Sequence, residues 1–261
     1  MNEDNNRKLI LVSNDDGIES VGIHALVDFV KEYGDVIVVA PELPQSGKSS
    51  SLTVETPLRV KRLDDYNGAQ MWRVNGTPVD CTKLAFSHLL SRKPDLVVAG
   101  INHGSNAGIN AIYSGTMGIV FEACLNHVPA VGFSLLSHDP NADFSECKGV
   151  VKTVMDSVIA NGLPSEVCLN VNIPAKCKVE GIKVTSAAEG VWVGDFEKQT
   201  DPHGRDIYWL TGKYQVNNPD DDTSDIYWLD RNYATVVPCT PDQTVKSAIS
   251  SLAQTLDVKL G

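Results

Sequence analysis

Two adjacent acids follow the first apolar run of the chain. Residues 8–13 read Lys-Leu-Ile-Leu-Val-Ser, which predicts a buried strand, and Asn14, Asp15, Asp16 and Gly17 come directly after it. In an α/β sheet, ligands bind beyond the carboxyl ends of the strands, so this acidic pair lies where chemistry is expected. Neighbouring carboxylates repel each other, and a hard divalent cation beside them is the simplest remedy. The alternative is an Asx-type turn that caps the following helix, with Gly17 in the left-handed conformation.

A longer loop downstream holds a second group of candidate ligands. Residues 100–108 read Gly-Ile-Asn-His-Gly-Ser-Asn-Ala-Gly, and residues 113–116 read Tyr-Ser-Gly-Thr. Asn102 follows a predicted strand and offers an amide oxygen, a neutral ligand suited to Mg²⁺ or Mn²⁺. The small residues from Ser114 to Thr116 are predicted to expose N–H groups at a helix N-terminus, where an anion gains from free donors and from the helix dipole. The alternative is that Thr116 is only an N-cap and that the glycines only make turns.

A serine-rich loop follows the second predicted strand. Residues 41–51 read Pro-Glu-Leu-Pro-Gln-Ser-Gly-Lys-Ser-Ser-Ser, and the Gly-Lys-Ser triplet suggests a phosphate-binding P-loop. That motif requires a glycine five positions before the glycine of the triplet, where this chain has Glu42, so the P-loop interpretation fails. What remains is a hydroxyl-rich loop from Ser46 to Ser51 at the same edge of the sheet, or a plain surface loop.

Two further motifs receive a plainer interpretation. His103 is a single histidine in a glycine- and asparagine-rich loop, which is more often a surface residue, and we assign it no role. The segment 74–81 fits the start of a helix, with Thr77 as N-cap, Pro78 at the first helical position and Asp80 in the first turn. We interpret that segment as structural.

Composition narrows the possible partners. The chain has 261 residues, of which 42% are hydrophobic and 21% charged, and its formal net charge is −11. This charge argues against binding a nucleic-acid polymer or a membrane surface, because phosphates would be repelled. An anionic substrate therefore needs positive potential from the site itself. The polar first residues lack a secretory signal, and six cysteines without a Cys-x-x-Cys pair predict reduced thiols in a cytoplasmic protein.

The elements that must position these residues alternate between strand and helix. Predicted strands span residues 8–13, 35–40, 57–62, 70–74, 96–99, 130–134, 168–172 and 181–186. Predicted helices span residues 21–33, 78–90, 117–126, 150–160 and 242–256, and the last is expected to return apolar residues to the core. This order predicts a single α/β domain in three layers, with a Rossmann-like, mainly parallel sheet.

The region from Ala187 to Tyr233 has a different character. It contains three of the four tryptophans and the pentapeptide Asp-Ile-Tyr-Trp-Leu twice, at residues 206–210 and 225–229. Two copies are too few for a solenoid. We predict that both copies are strands of an extended β-arm, over about residues 187–236, whose exposed aromatic side chains pair with another subunit.

The motifs together resemble those of the SurE family of survival-protein nucleotidases. They occur in the family's order and spacing: Asn14 to Gly17, Gln45 to Gly47, Gly76 to Pro78 with Asp80 and Cys81, Gly100 to Asn102 with Gly104 and Asn106, and Tyr113 to Thr116 with Glu122 and Ala123. The resemblance is strong over roughly residues 8–135. It resumes in the arm at Gly204, Arg205, Tyr208, Trp209, Ser224 and Asp225.

The resemblance implies a metal-dependent phosphomonoesterase that acts on nucleoside 5′- and 3′-monophosphates. It implies one divalent ion per subunit, Mg²⁺ or Mn²⁺, and a homodimer or homotetramer assembled through the C-terminal arm. The implied metal ligands are Asp15, Asp16, Ser46 and Asn102, and Asp16 is also the implied catalytic residue. The implied phosphate contacts are Asn106, Ser114, Gly115 and Thr116.

The hypothesis is in-line attack of water at phosphorus, with a divalent ion that lowers the pKa of a bound water and neutralises a phosphoryl oxygen. Two other classes of protein share parts of this pattern. A receiver-type signalling module also places paired acids after its first strand, but it needs a phosphoacceptor Asp where this chain has Gly100, Ile101 and Asn102. A non-catalytic nucleotide-binding protein would have the same pocket without turnover.

Overall fold

Strands and helices alternate through the first two-thirds of the computed structural model, which describes residues 7–139 and 141–259. These elements are β1 (Lys8–Ser13), α1 (Val21–Val30), β2 (Gly34–Pro41), β3 (Val60–Arg62), β4 (Gln70–Val74), α2 (Pro78–Leu84), β5 (Leu96–His103), α3 (Gly115–Leu125), β6 (Ala130–Leu135), α4 (Cys147–Asn161) and β7 (Cys168–Ile173). A π-helical turn over Ala85–Leu89 extends α2, and a 3-10 turn over Gly108–Ile112 precedes α3.

Shorter elements make up the rest of the chain. They are β8 (Gly181–Val184), β9 (Gly190–Val193), β10 (Phe196–Thr200), β11 (Asp206–Leu210), β12 (Lys213–Val216), α5 (Asp225–Leu229), β13 (Tyr233–Cys239) and α6 (Ile249–Thr255). A 3-10 turn over Lys246–Ala248 leads into α6.

Nine strands form one sheet in the order β3-β4-β2-β1-β5-β6-β7-β13-β8. All neighbours are parallel except β3 with β4 and β7 with β13. The predicted α/β fold with a mainly parallel sheet is therefore confirmed. Its parallel strands bring the carboxyl ends of β1, β2, β5 and β6 to one edge.

Helices cover both faces of this sheet, which gives the predicted three layers. Because side chains alternate along a strand, Ile10 and Val12 of β1 pack in the cluster under α1 and α4. Leu9 and Leu11 of the same strand pack in the cluster under α2 and α3. The central strands are thus apolar on both faces, as parallel sheets require.

The helix predicted to start at Pro78 does so through a capping box. The Thr77 hydroxyl accepts the N–H of Asp80 at 3.1 Å, and the Asp80 carboxylate accepts the N–H of Thr77 at 2.9 Å. The predicted start of the helix, with Thr77 as its N-cap, is therefore confirmed. The same carboxylate also accepts the N–H of Thr53 at 3.1 Å, so it joins the chain after the serine-rich loop to the start of α2.

Several predicted boundaries were wrong: the strand predicted over 57–62 begins at Val60, and the helix predicted over 21–33 ends at Val30. Two further differences are larger. The loop expected from Gly100 begins later, because β5 continues to His103 with a register shift against β6 between Ala99 and Asn102. The expected helix over 242–256 is reduced to the 3-10 turn and α6, and none of its residues is buried. Its apolar side chains, Ile249, Leu252 and Leu256, are exposed instead of returning to the core.

The predicted β-arm is divided between two parts of the molecule. Strands β9 to β12 form a two-stranded ribbon outside the main sheet, in which β9 pairs with β12 and β10 with β11, both antiparallel. We call residues 190–216 the ribbon. The end of the predicted range enters β13 inside the main sheet, and the second pentapeptide copy is the helix α5. The prediction that both copies are strands was therefore wrong.

The six cysteines form no disulfide in the part of the chain that the structure describes. Four of them are buried, namely Cys81, Cys124, Cys147 and Cys168. Burial raises the pKa of Cys147 to about 12, so this thiol is an unreactive core residue. Among the described residues, no helix combines the length and the hydropathy needed to cross a membrane.

Candidate functional site

Three loops meet where β1, β2 and β5 end. Asp15 and Asp16 follow β1, and the main-chain N–H of Gln45, after β2, donates to the carbonyl oxygen of Asp15 at 2.7 Å. The N–H of His103, the last residue of β5, donates to the Asp16 carboxylate at 3.0 Å. These two hydrogen bonds bring the loop of Ser46 and the end of β5 against the acidic pair.

Asp15 is enclosed by the start of α3. Its side chain accepts the hydroxyl of Thr116 at 2.6 Å, and the residue is only 3% exposed. A Cβ atom at Gly115 would lie 2.7 Å from the Cβ of Asp15, so the helix reaches the acid only because residue 115 is glycine. Burial, together with the charge of Asp16, raises the pKa of Asp15 to about 6, and the Thr116 hydrogen bond opposes this shift.

Asp16 is the more accessible acid of the pair. Burial raises its pKa, while the hydrogen bond from the N–H of His103 and the electrostatic interaction with His138 lower it. Both carboxylates therefore have a raised pKa, which is the shift that a nearby cation reverses. This electrostatic pattern supports the cation site over a simple turn.

A turn also exists at this point, and it uses a different residue. The side-chain amide of Asn14 donates to the carbonyl oxygen of Gly17 at 3.0 Å and to the hydroxyl of Ser20 at 2.7 Å. Ser20, not Asn14 or Asp15, caps α1. Gly17 has a φ of +94°, in the left-handed region, as the turn interpretation predicted. The turn thus shapes the loop, and it leaves both carboxylates free for another role.

The oxygen atoms available beside the acids suit a hard divalent cation. Asn102 is 8% exposed, and its side-chain N–H donates to the carbonyl oxygen of Gly104 at 2.9 Å, which leaves Oδ1 as its available ligand atom. The Oδ1 atom of Asn14 is buried and accepts no hydrogen bond from any described residue. Ser46 is exposed on the loop that Gln45 attaches to Asp15.

A cation site here must combine acids with neutral oxygen ligands. In the part of the chain that the structure describes, no three His, Cys, Asp or Glu side chains form a metal-binding group. A cation held by the two carboxylates would take its remaining ligands from neutral oxygen atoms, for which the hydroxyl of Ser46 and the amide of Asn102 are the candidates. Hydroxyl, amide and carboxylate oxygens are the donors that Mg²⁺ and Mn²⁺ prefer.

The N-terminus of α3 supplies the candidate anion site. Ser114 is the N-cap, because its hydroxyl accepts the N–H of Met117 at 3.0 Å, so the alternative that Thr116 is the N-cap was wrong. Both the hydroxyl and the backbone N–H of Thr116 lie within hydrogen-bond reach of the Asp15 carboxylate, so this residue joins the start of α3 to the acidic pair. Ser114, Gly115 and Thr116 are all buried.

Asn106 is fixed by a buried network that the sequence analysis missed. Its main-chain N–H donates to Asn172 at 2.9 Å, its side-chain N–H donates to Ser134 at 2.8 Å, and its carbonyl oxygen accepts from Asn170 at 2.8 Å. Asn172 also donates to Asn170 at 3.0 Å. The signal was present in residues 168–172, Cys-Leu-Asn-Val-Asn, because two asparagines in a buried strand require hydrogen-bond partners.

Two histidines lie beside the acidic pair. The ring of His103 packs edge-on against Phe144 with centroids 4.9 Å apart, and burial lowers its pKa. The ring of His138 packs on Gly104, where any side chain would collide with it. His103 acts on the site through its main chain, whereas the sequence offered no signal for His138.

These features define an α/β protein whose acidic, oxygen-rich site lies at the carboxyl edge of a parallel sheet, against a helix N-terminus. The family model described as Survival protein SurE matches residues 10–194 of the chain. The chain belongs to this family, as its motifs indicated.

Relatives of the chain carry the same family name. A protein of Christiangramia forsetii named 5'-nucleotidase SurE is 46% identical over 252 residues, which are 95% of this chain and 96% of the relative. A protein of Bacteroides fragilis with the same name is 42% identical, over 92% of this chain and 94% of the relative. The crystal structure of the SurE protein from Aquifex aeolicus superposes with a TM-score of 0.82 at 33% identity, over 95% of this chain and all of that one.

Proposed function

We propose that this protein is a metal-dependent phosphomonoesterase that hydrolyses nucleoside 5′- and 3′-monophosphates to nucleoside and phosphate. The observation that carries the proposal is the position of Asp15, which belongs to the acidic pair and also contacts the start of α3 at Gly115 and Thr116. A cation site and an anion site therefore share one residue. A phosphate monoester bound between them would contact both. The names of the curated relatives support the nucleotide as substrate.

The proposed metal ligands are Asp15, Asp16, Ser46 and Asn102. When bound there, Mg²⁺ or Mn²⁺ would lower the pKa of a coordinated water and neutralise charge on a phosphoryl oxygen. The protein's own part is to hold its oxygen atoms in place. The N–H of His103 orients the Asp16 carboxylate, and the side chain of Asn102 is oriented by its hydrogen bond to Gly104.

The phosphoryl group is proposed to bind Asn106, Ser114, Gly115 and Thr116. Donors at a helix N-terminus stabilise the charge on the equatorial phosphoryl oxygens, and phosphoryl transfer depends mainly on such positioning and electrostatics. The proposed catalytic residue is Asp16, because it is the more exposed of the two acids and faces the N–H of His103.

Phosphate release from a panel of nucleoside 5′- and 3′-monophosphates tests this function. We expect release with Mg²⁺ or Mn²⁺ and none with EDTA. Binding of nucleotides without release would favour the non-catalytic alternative. Covalent incorporation of phosphate without turnover would favour the receiver-type module.

Substitution of the proposed catalytic acid gives a sharper test. Asp16→Asn should lower kcat/KM by about 10²-fold or more, since it removes a charged group from the reacting centre. The matched control is Asp230→Asn, at an exposed acid at the end of α5. The circular dichroism spectrum of both variants should match that of the parent protein. Near-normal turnover of Asp16→Asn with saturating Mn²⁺ would refute the assignment.

We also propose that the protein is a cytoplasmic homodimer or homotetramer assembled through the ribbon. The ribbon exposes Phe196, Tyr208, Trp209 and Leu210, each at least 59% exposed, and large apolar side chains at this density are typical of a protein interface. Six free thiols suit a reducing compartment. Light scattering should show a lower mass after residues 190–216 are replaced by a short glycine linker. An unchanged mass would exclude the ribbon as the interface.

A further inference from the structure

One short segment connects the two groups of proposed phosphate contacts. It runs from Ala107 to Tyr113, between Asn106 and Ser114, and contains the 3-10 turn over Gly108–Ile112. The position of this segment therefore decides how Asn106 and the start of α3 lie relative to each other. On the sheet side, Asn106 is held by the buried network of Asn170, Asn172 and Ser134.

On the opposite side, the ribbon holds the segment through Tyr214 of β12. The ring of Tyr214 lies between two glycines: a Cβ atom at Gly108 would lie 2.7 Å from its hydroxyl oxygen, and a Cβ atom at Gly190 would lie 2.8 Å from its Cζ atom. The hydroxyl donates to the carbonyl oxygen of Ala188 at 2.6 Å and accepts the N–H of Ile109 at 3.5 Å. The slot is therefore shaped for this ring, and its hydroxyl joins the segment to the base of the ribbon.

Two other side chains reinforce this contact. Trp192 of β9 packs against Tyr214, with ring centroids 6.3 Å apart, and its indole N–H donates to the side chain of Asn110 at 3.0 Å. The buried carboxylate of Asp225 accepts the N–H of Gly108 at 2.7 Å and the N–H of Ala188 at 2.9 Å. The segment is thus fixed at three consecutive residues, at Ile109 and Asn110 by side chains of the ribbon and at Gly108 by Asp225 of α5.

We propose that the base of the ribbon positions the phosphate contacts, with Tyr214 as the positioning residue. This inference rests on the proposed function, since it concerns the binding of a phosphoryl group at that site. The physical reason is that Asn106 is followed after one residue by Gly108, so a shift of Gly108 moves Asn106 against the start of α3. Displacements of about 1 Å far from the reacting atoms can cost up to roughly 10²-fold in activity.

The test is Tyr214→Phe, which keeps the ring in its slot and removes only the hydroxyl. We expect the inhibition constant for inorganic phosphate, and KM for a nucleoside monophosphate, to rise about three- to ten-fold, which corresponds to one neutral hydrogen bond. We expect kcat to change less than KM, because Tyr214 touches neither the acids nor Asn102. Trp192→Phe, which removes the donor to Asn110, should have a smaller effect in the same direction.

The matched control is Tyr208→Phe, at a tyrosine of the same ribbon that is 60% exposed. It should leave phosphate inhibition and KM unchanged. If the inhibition constant for inorganic phosphate is the same in Tyr214→Phe as in the parent protein, the inference is overturned. A lowered Tm with an unchanged inhibition constant would overturn it equally. Such a variant would show that the hydroxyl serves stability alone.

A separate readout distinguishes failure of this inference from failure of the proposed function. Amide hydrogen exchange of residues 106–112 needs no substrate, and it should be faster in Tyr214→Phe than in Tyr208→Phe. If the parent protein releases no phosphate from any nucleotide, the proposed function fails, whatever the exchange shows. If the parent protein is active and exchange and phosphate inhibition are the same in both variants, only the positioning role of Tyr214 fails.

Discussion

The same five residues, Asp-Ile-Tyr-Trp-Leu, form a strand at 206–210 and a helix at 225–229. The first copy is β11, and every residue of it pairs with β10 across the ribbon. Four of its five residues are exposed. The second copy is α5, which packs on β13, with its first and last residues buried. The intrinsic helix and strand propensities of the five residues are identical in the two copies, so the surroundings of each copy decide its conformation.

The helical copy is specified by what precedes it and by what it covers. The hydroxyl of Ser224 accepts the N–H of Tyr227 at 3.4 Å as the N-cap. Asp225 is completely buried and accepts three main-chain N–H groups, those of Gly108, Ala188 and Ile226. The strand copy has a turn before it instead, where Gly204 adopts a φ of +79°.

The largest expected difference between the copies is at their first residue. Asp225→Ala leaves buried N–H donors without an acceptor, and we expect it to lower the free energy of unfolding by about 4 kcal/mol. Asp206→Ala, its counterpart, removes only an exposed ion pair with Lys198 and should cost less than about 0.5 kcal/mol. Urea denaturation of both variants measures the two changes in the free energy of unfolding. Equal effects would mean that the two environments are energetically alike.

The last residue of each copy gives a comparison that depends on packing alone. Leu229 is 4% exposed, and Leu229→Ala should cost about 3 kcal/mol, because it removes buried methyl groups and leaves a cavity. Leu210 is 76% exposed, and Leu210→Ala should change the stability of the isolated subunit by less than about 0.5 kcal/mol. Thermal unfolding of dilute protein measures both. A large loss for Leu210→Ala would instead reveal that the ribbon is buried against another subunit.

The smallest effect is expected just before each copy. Ser224→Ala removes the N-cap of α5 and should cost about 1 kcal/mol. Arg205→Ala removes the ion pair between an exposed guanidinium and the half-buried Asp201, and it should cost less than about 0.5 kcal/mol. Both changes in the free energy of unfolding are measured from the denaturant concentration at the midpoint of unfolding, with an unchanged m-value. If Arg205→Ala lowered the stability as much as Ser224→Ala, the turn before β11 would also help to determine the strand conformation of the first copy.

Sequence reasoning succeeded where one element contains its own explanation. The apolar run before Asp15 and the Thr77 capping box each depend on a few consecutive residues, and both were predicted correctly. In a parallel sheet the carboxyl ends of neighbouring strands lie at one edge, which is why the acids after β1 and the end of β5 could be expected together. The residues that complete the site are harder, because their partners are distant in the chain.

The failures share one physical cause. The second pentapeptide copy is helical because Asp225 bonds to Gly108, a residue far away in the sequence, and Asn106 is fixed by residues of β6 and β7. The apolar side chains of α6 were expected to pack against the core, but they are exposed. The apolar pattern of a helix leads to burial only where another element covers that face. Local patterns report local energies, and these features depend on tertiary contacts.

The hydrogen bond between Gly108 and Asp225 joins residues that are 117 positions apart. At a synthesis rate of about 5–20 residues per second, the second partner leaves the ribosome on the order of ten seconds after the first. The strands that carry the acidic pair are complete long before that time. The acidic pair can therefore take shape early in biosynthesis, whereas the segment between Asn106 and Ser114 acquires its last fixed contact only when the chain is nearly finished. The docking of α5 is accordingly among the last steps that shape this segment.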